Sequence, residues 1–254
     1  MPEVNELNEA ASDDIKHTCR ILLPREGVSS RGVLPTVALE VSLEHERHRV
    51  CKVLCSFGNL AYAQVDALSC IWDFSEPTGA SLMRGVGVQE IVHKFGLGPF
   101  ITAYRSLQEH AGPWGLDPDN VFAVYFGHSD TGLQTKVVLF AKLLEGPETS
   151  TIRRQRIFSI LRTAAALFDR VEGGVKSVAY PLEFRVEEPL FPAVLRTYLA
   201  GIVDYWEIHP DSPIEVVQLV DPVELSWEQA NKLQAILLRS VLPDLPEILT
   251  TPRR

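Results

Sequence analysis

The sequence predicts an α/β domain whose central sheet is mostly parallel and carries helices on both faces. Short apolar segments with strand character alternate with longer segments whose apolar residues recur at helical spacing. In the second half of the chain the order is strand, helix, strand, helix, strand, which is typical of parallel strands joined by crossover helices. The 254 residues, 46% of them hydrophobic, suffice for one large core.

The amino-terminal part of the chain predicts a tail followed by a hairpin. Residues 1–18 are expected to form an acidic flexible tail, and residues 19–254 a single domain. A first strand is predicted at 19–24. Apolar residues alternate with polar ones at 36–43, which indicates a half-buried strand, and a charged turn connects it to a second strand at 50–57. These two strands are expected to form a β-hairpin added to the amino-terminal side of the sheet.

The remaining elements follow from hydrophobic periodicity. Further strands are predicted at 65–72, 121–127, 136–143, 177–182 and 214–220. Helices are predicted over 79–95, from Pro99 onward, and over 152–171, 190–206 and 226–242. Gly173 and Gly174 are suited to closing the helix over 152–171. Ser226 and Gln229 form a capping box at the start of the last helix.

Composition excludes several classes of protein. The net charge of −9 disfavours non-specific binding of nucleic acid, because phosphate binding needs excess Lys and Arg. No apolar run approaches the roughly 18 residues of a membrane span, and the acidic amino terminus lacks the apolar core of a signal peptide. The four cysteines form no CxxC pair and are expected to be reduced core thiols. We therefore expect a cytoplasmic protein without a membrane partner.

Arginine outnumbers lysine 17 to 7, which favours a bacterial source of high GC content.

Several short motifs occur in the order and spacing of the macro domain family. The run Phe57–Leu60 takes the place of the family's Gly-Asp-Ile-Thr motif, and Val65–Leu68 that of its Val-Asp-Ala-Ile motif. Thr78–Ala80 takes the place of the glycine-rich turn that opens a helix, and Ser177–Pro181 that of a strand ending Ala-Phe-Pro. Over about residues 50–221 the chain therefore resembles a macro domain, a fold that binds ADP-ribose. It is also similar to the amino-terminal domain of leucine aminopeptidases.

The resemblance implies a nucleotide pocket at the carboxyl ends of the strands, with an ADP-ribose-like nucleotide as the ligand and no cofactor. Asn59 takes the place of the family's aspartate, which binds the adenine amino group. An asparagine accepts through its side-chain oxygen but carries no charge. The expected ligand-binding residues are Gly58, Asn59, Cys70, Trp72, Asp73, Gly79, Ala80, Gly127 and Arg185.

Departures from the family pattern favour binding over catalysis. The loop over 182–189 takes the place of the second phosphate loop, yet it has no glycine and three glutamates, which repel a diphosphate. Arg185 is its only compensating charge. Asp73 is a weak candidate for a general base and Glu183 for a second carboxylate. Three functions stay open: a nucleotide sensor, an interaction subunit with a filled pocket, and an ADP-ribosyl hydrolase.

Cys70 and Trp72 each have two interpretations. Cys70 is expected either at the mouth of the pocket, where α/β folds place ligands, or as a buried structural thiol. Trp72 is expected in a loop, where it either stacks against a base or caps the core.

Other chemical motifs are weak. No histidine pair has the spacing of a zinc hydrolase, so no metal site is predicted. The adjacent residues His128–Asp130 cannot adopt the geometry of a catalytic triad. Four arginines are predicted on the outer face of the helix over 152–171, where they form either a solvated face or a docking surface for an acidic protein partner or nucleic acid. These are Arg153, Arg154, Arg156 and Arg162.

Overall fold

The structure is a computed structural model. It describes residues 15–21, 36–45, 50–72, 85–98, 100–102, 105, 121–125, 135–143, 149–183, 189–221 and 248–250. Within these residues ten strands form one sheet: β1 (Ile15–Ile21), β2 (Thr36–His45), β3 (Val50–Phe57), β4 (Ala67–Trp72), β5 (Gly85–Val86), β6 (Val121–Tyr125), β7 (Val137–Lys142), β8 (Ser177–Pro181), β9 (Val216–Asp221) and β10 (Ile248–Thr250). The described helices include a 3-10 helix (Leu60–Tyr62), α1 (Val88–Phe95), α2 (Ser150–Ala166) and α3 (Phe191–Ile208), and residues 98, 100–102 and 105 are also helical.

The sheet is mixed, with a parallel centre and antiparallel flanks. The strand order is β10-β1-β2-β3-β9-β8-β4-β7-β6, and β5 pairs with β4 off this path. The neighbours β3, β9, β8, β4 and β7 all run parallel. The predicted hairpin is present as β2 and β3, and it belongs to the main sheet because β3 pairs directly with β9.

Helices cover both faces of this sheet, as predicted. Because side chains alternate along a strand, β4 sends Ala67 and Ile71 to one face and Leu68 and Trp72 to the other. The first face packs against α2 and α3, and the second packs against α1 and the 3-10 helix. Central strands buried on both faces explain the uninterrupted apolar runs in the sequence. In the described part of the chain, no helix combines the length and apolar character needed to cross a membrane.

Element boundaries differ from the prediction in places. Strand β1 begins at Ile15, so residues 15–18, assigned to the tail from the sequence, pair with the end of β2. The predicted helix over 79–95 is wrong at Gly85–Val86, which pairs with β4 as a short strand. At Gly85–Val86, sheet pairing with a distant partner outweighs local helical spacing. The predicted helix at 226–242 lies outside the described residues.

Candidate functional site

The parallel strands β3, β9 and β8 end side by side at one edge of the sheet, the carboxyl edge. The Gly58 N–H, just after β3, donates to the Asp221 carbonyl oxygen at the end of β9 at 2.9 Å. The Leu182 N–H, just after β8, donates to the Val220 carbonyl oxygen at 2.8 Å. Ligands of open α/β sheets bind at such an edge, so this is the geometric candidate for a binding site.

Gly58 and Asn59 turn the chain out of β3 into the 3-10 helix. Gly58 has a φ of 132°, which favours glycine. The Asn59 side-chain oxygen accepts from the Ala61 N–H at 2.9 Å and so caps the 3-10 helix. This bond orients the Asn59 amide at the carboxyl edge, beside the ends of β3 and β9.

The amino terminus of α1 packs against the same edge. Gly87, the residue before α1, has a φ of 78°. A Cβ atom at Gly87 would lie 2.6 Å from Leu60 Cδ2 and 3.2 Å from Pro181 Cβ. Only glycine therefore lets the first turn of α1 approach both the 3-10 helix and the end of β8. The first N–H groups of a helix carry partial positive charge, so this end of α1 attracts anions.

The glycines before the described helix are not those predicted from the sequence. The prediction placed the glycine-rich turn at Gly79 and Ala80, whereas α1 begins at Val88 and directly follows Gly85 and Gly87. A Cβ atom at Gly85 would overlap the Ile71 carbonyl oxygen of β4. The Gly-Val-Gly spacing immediately before an apolar helical stripe was a signal for this position in the sequence.

Lys94 ties α1 to the 3-10 helix. Its ammonium group donates to the Ala61 carbonyl oxygen at 2.5 Å and lies 4.2 Å from the centre of the Tyr62 ring. Burial lowers the pKa of Lys94. Lys94 was not predicted from the sequence, although it fixes the segment that carries Asn59.

The predicted placement of Cys70 and Trp72 at the mouth of a pocket is wrong. Both belong to β4, which continues to Trp72, and their exposed fractions are 0% and 1%. The Trp72 ring packs edge-to-face against the Phe100 ring, with their centres 5.2 Å apart. Its centre lies 5.9 Å from the centre of the Phe140 ring. Burial, with a smaller contribution from the charge of Glu90, raises the pKa of the Cys70 thiol. Both side chains belong to the core under α1, in agreement with the structural interpretation of each.

Five of the predicted ligand-binding residues lie outside the described residues. They are Asp73, Gly79, Ala80, Gly127 and Arg185.

Glu183, which follows β8, is held by two arginines of α2. Arg153 Nε donates to Glu183 Oε2 at 2.7 Å, and Arg156 Nη1 donates to Oε1 at 2.5 Å. The side chains of Arg156 and Glu183 are only 3% and 8% exposed. The Glu183 carboxylate is therefore neutralised by α2. It is therefore not an unpaired repulsive charge at the end of β8.

This ion-pair cluster corrects the predicted arginine face. The sequence placed Arg153 and Arg156 in solvent, but three-residue spacing puts both on the side of α2 that meets the end of β8. Arg154 and Arg162 are exposed, as predicted. Arg156 immediately precedes the apolar stripe that starts at Ile157. This position beside buried residues was the signal in the sequence that Arg156 would be buried.

Two buried tyrosines lie beside the cluster. The rings of Tyr180 and Tyr198 are 5.0 Å apart, and burial raises the pKa of both hydroxyl groups. The charge of Arg156 lowers the pKa of the Tyr180 hydroxyl and that of Glu183 raises it, but burial has the larger effect. The end of β8 is thus fixed by the ion pairs of Glu183 beside two buried aromatic rings, which the sequence did not predict.

Metal ligands and disulfides do not define a site in the described residues. Across these ranges, no group of three or more His, Cys, Asp or Glu side chains is arranged to hold a metal ion. Cys51, Cys55 and Cys70 are buried and reduced, as expected of core thiols.

The described residues form a mixed α/β sheet whose central parallel strands end beside the amino terminus of α1. No protein-family model matches the sequence, and no curated protein matches it. The macrodomain of Oceanobacillus iheyensis with MES bound is similar in structure, at 13% identity, covering 78% of this chain and 96% of that chain with a TM-score of 0.50. This similarity shows that the chain has the macro domain fold.

Two further macro domains are similar at lower scores. A Trypanosoma brucei macrodomain in complex with ADP-ribose has 17% identity, coverage of 73% and 68%, and a TM-score of 0.42. The macro domain of ganglioside induced differentiation associated protein 2 has 18% identity, coverage of 75% and 84%, and a TM-score of 0.46.

Proposed function

We propose that this chain is a divergent macro-like module that binds a nucleotide derived from ADP-ribose or NAD at the carboxyl edge. One observation carries the proposal: Asn59, Gly87 and the ends of β3, β8 and β9 converge there. The resemblance to macro domains supplies the ligand class, and the convergence supplies a location. Asn59 would contact the base, and the first turn of α1 would lie beside the phosphates.

The geometry favours modest affinity for the phosphates. The first turn of α1 contains Glu90, whose charge opposes an anionic ligand. The loop that would carry the second phosphate contact begins at Glu183, which is fixed to α2 by two arginines. Binding would therefore depend more on the base and ribose than in a macro domain with two glycine loops.

A calorimetric titration with ADP-ribose, NAD, ADP and AMP tests the proposal. A ligand present at 100 times its dissociation constant should stabilise the protein by about 2.7 kcal/mol in a thermal shift assay. Asn59→Asp keeps the cap acceptor for the Ala61 N–H and adds a carboxylate for an adenine amino group, so affinity should hold or rise. Asn59→Ala removes the contact and should weaken binding by about 1–3 kcal/mol.

His93→Ala is a suitable control, because His93 is exposed on α1 outside the proposed contacts. Binding of none of the four nucleotides at millimolar concentration contradicts the proposal. Equal affinities in all three variants contradict the assignment of Asn59.

Hydrolysis of an ADP-ribosyl bond is the less favoured alternative. The reaction needs a water held against the anomeric carbon and donors for the diphosphate. Glu183 is engaged by Arg153 and Arg156, which leaves Asp73 as the candidate base. We expect no release of ADP-ribose from a modified protein at micromolar enzyme, and turnover that disappears in Asp73→Ala would establish the hydrolase.

A second candidate function is an interaction module for an acidic protein. It is favoured by a separate observation, because exposed arginines of α2 and α3 line one cleft.

A further inference from the structure

A cleft of about 700 Å³ lies between α2 and α3, and no residue of the carboxyl-edge site lines it. The helices are in close contact at Gly201, where a Cβ atom would lie 2.6 Å from Ile157 Cγ2 and 2.9 Å from the Arg154 carbonyl oxygen. Exchange of this glycine would push the helices apart, so the cleft has a tightly packed base. Its shape is set by backbone contact rather than by mobile side chains.

Three arginines give the cleft its charge. Arg154 and Arg162 come from α2, and Arg196 comes from α3. Arg154 is bound by Asp204 through two hydrogen bonds, which raise the pKa of its guanidinium. The nearby charge of Glu207 also acts on Arg154.

Arg162 and Arg196 are exposed, and within the described ranges neither forms an ion pair. The positive charge of the cleft that is not paired with a carboxylate is therefore carried by Arg162 and Arg196.

The spacing along α2 specifies an extended ligand. Arg154, Phe158 and Arg162 line the cleft at every fourth residue, which places them on one side of the helix about 6 Å apart at a rise of 1.5 Å per residue. Alternate residues of an extended peptide also lie about 6.6 Å apart on one side. The row from Arg154 to Arg162 is about 12 Å long, because it spans eight residues at a rise of 1.5 Å each. A single phosphate therefore contacts only one end of it.

We propose that the cleft binds an acidic peptide segment of a partner protein, with two acidic side chains flanking an apolar one at alternate positions. The acidic residues pair with Arg154 and Arg196 at one end and with Arg162 at the other, and the apolar residue packs on Phe158. The inference deepens the second candidate function and is independent of the nucleotide site. A long nucleic acid would meet the whole field of a chain with net charge −9, which disfavours it.

Fluorescence anisotropy with the full chain tests this inference. The probe is a labelled peptide that contains Glu-Ser-Leu-Ser-Glu, and the matched peptide replaces both glutamates with glutamine. We expect binding of the acidic peptide alone, with an association rate that falls as salt rises. Arg162→Gln combined with Arg196→Gln should weaken binding at least 10-fold. Asp204→Asn should strengthen it several-fold, because Arg154 is released.

Arg170→Gln is the matched control, since Arg170 is exposed just beyond α2 and does not line the cleft. Unchanged melting temperatures establish that the variants fold. The inference is overturned if the peptide does not bind, or if the double variant binds as tightly as the control. It is also overturned if inorganic phosphate or a single-stranded oligonucleotide displaces the peptide at equal concentration. Nucleotide calorimetry on the double variant should be unchanged, which separates this result from the nucleotide proposal.

Discussion

The Lys136 ammonium group lies 3.0 Å from the Asp66 carboxylate, at the edge of the sheet opposite the candidate nucleotide site. Asp66 precedes β4 and Lys136 precedes β7. The other Asp66 oxygen accepts from the backbone N–H groups of Lys176 and Ser177 and from the Ser177 hydroxyl, at 2.8–3.1 Å. Lys136 also donates to the Gly174 carbonyl oxygen at 2.9 Å. One carboxylate thus joins the starts of three strands, which gives the Val-Asp-Ala motif a structural role.

The pH dependence of stability should report on Asp66. Burial would raise the pKa of this carboxyl group, but the bonds from Lys136, Lys176 and Ser177 outweigh it and lower the pKa below 3.8. A lowered folded-state pKa gives stability that is complete at neutral pH and is lost as the pH falls below about 4, through the folded-state value. Asp66→Asn should cost about 1–3 kcal/mol at pH 7, and less at pH 3. Urea unfolding of the native protein and the variant at pH 7 and pH 3 measures this. The same loss of unfolding free energy at both pH values would contradict the prediction. The exposed Asp169 provides a control as Asp169→Asn.

The ion pairs of Glu183 should matter far more than the exposed pair of Arg154. Glu183→Gln removes the carboxylate charge that binds Arg156, whose side chain is 3% exposed, and should destabilise the fold by about 3–5 kcal/mol. Arg154→Gln removes a pair whose arginine is 52% exposed and should cost less than about 1 kcal/mol. Denaturant unfolding of both variants, with a double-mutant cycle between Arg156 and Glu183, gives the coupling energy. Similar losses in the two variants would show that Glu183 is more solvated than the structure indicates.

Gly87 should resist replacement by a residue that has a Cβ atom. It has a φ of 78° and a ψ of −3°, in the left-handed region, so Gly87→Ala costs about 1 kcal/mol in conformational energy. The added Cβ atom would also meet Leu60 Cδ2 at 2.6 Å. Gly87→Ala should therefore lose a further amount of about 1–3 kcal/mol, the cost of overpacking. Thermal unfolding of the variant decides this, and a total loss of only about 1 kcal/mol would place α1 away from the 3-10 helix.

The buried cysteines should resist labelling in the native protein. Burial raises the pKa of the Cys51 thiol to about 12, and it also raises the pKa of the Cys70 thiol. At pH 8 neither is a thiolate, which is the reactive species. Iodoacetamide with peptide mass analysis should leave both unmodified until denaturant is added. Fast native labelling of Cys70 that ADP-ribose prevents would instead return Cys70 to the pocket.

The sequence by itself determined the two-faced sheet and most of the element order, apart from the short strands β5 and β10. Continuous apolar runs such as β7 specify a strand covered on both faces, and helical spacing specifies α2 and α3. These signals are local, because the period of burial is written into neighbouring residues. The macro domain fold could be predicted for the same reason, since its motifs keep their order along the chain.

Tertiary structure decided which side chains are available for function. Arg156 resembles any solvated helix residue until Glu183 is brought to it from 27 residues away. Trp72 resembles a loop aromatic until Phe100 and Phe140 enclose it. Arg196 joins Arg162 in one cleft only because α3 packs against α2. Charge and aromaticity are properties of a residue, but burial and pairing depend on partners distant in sequence, and only the folded chain supplies those partners.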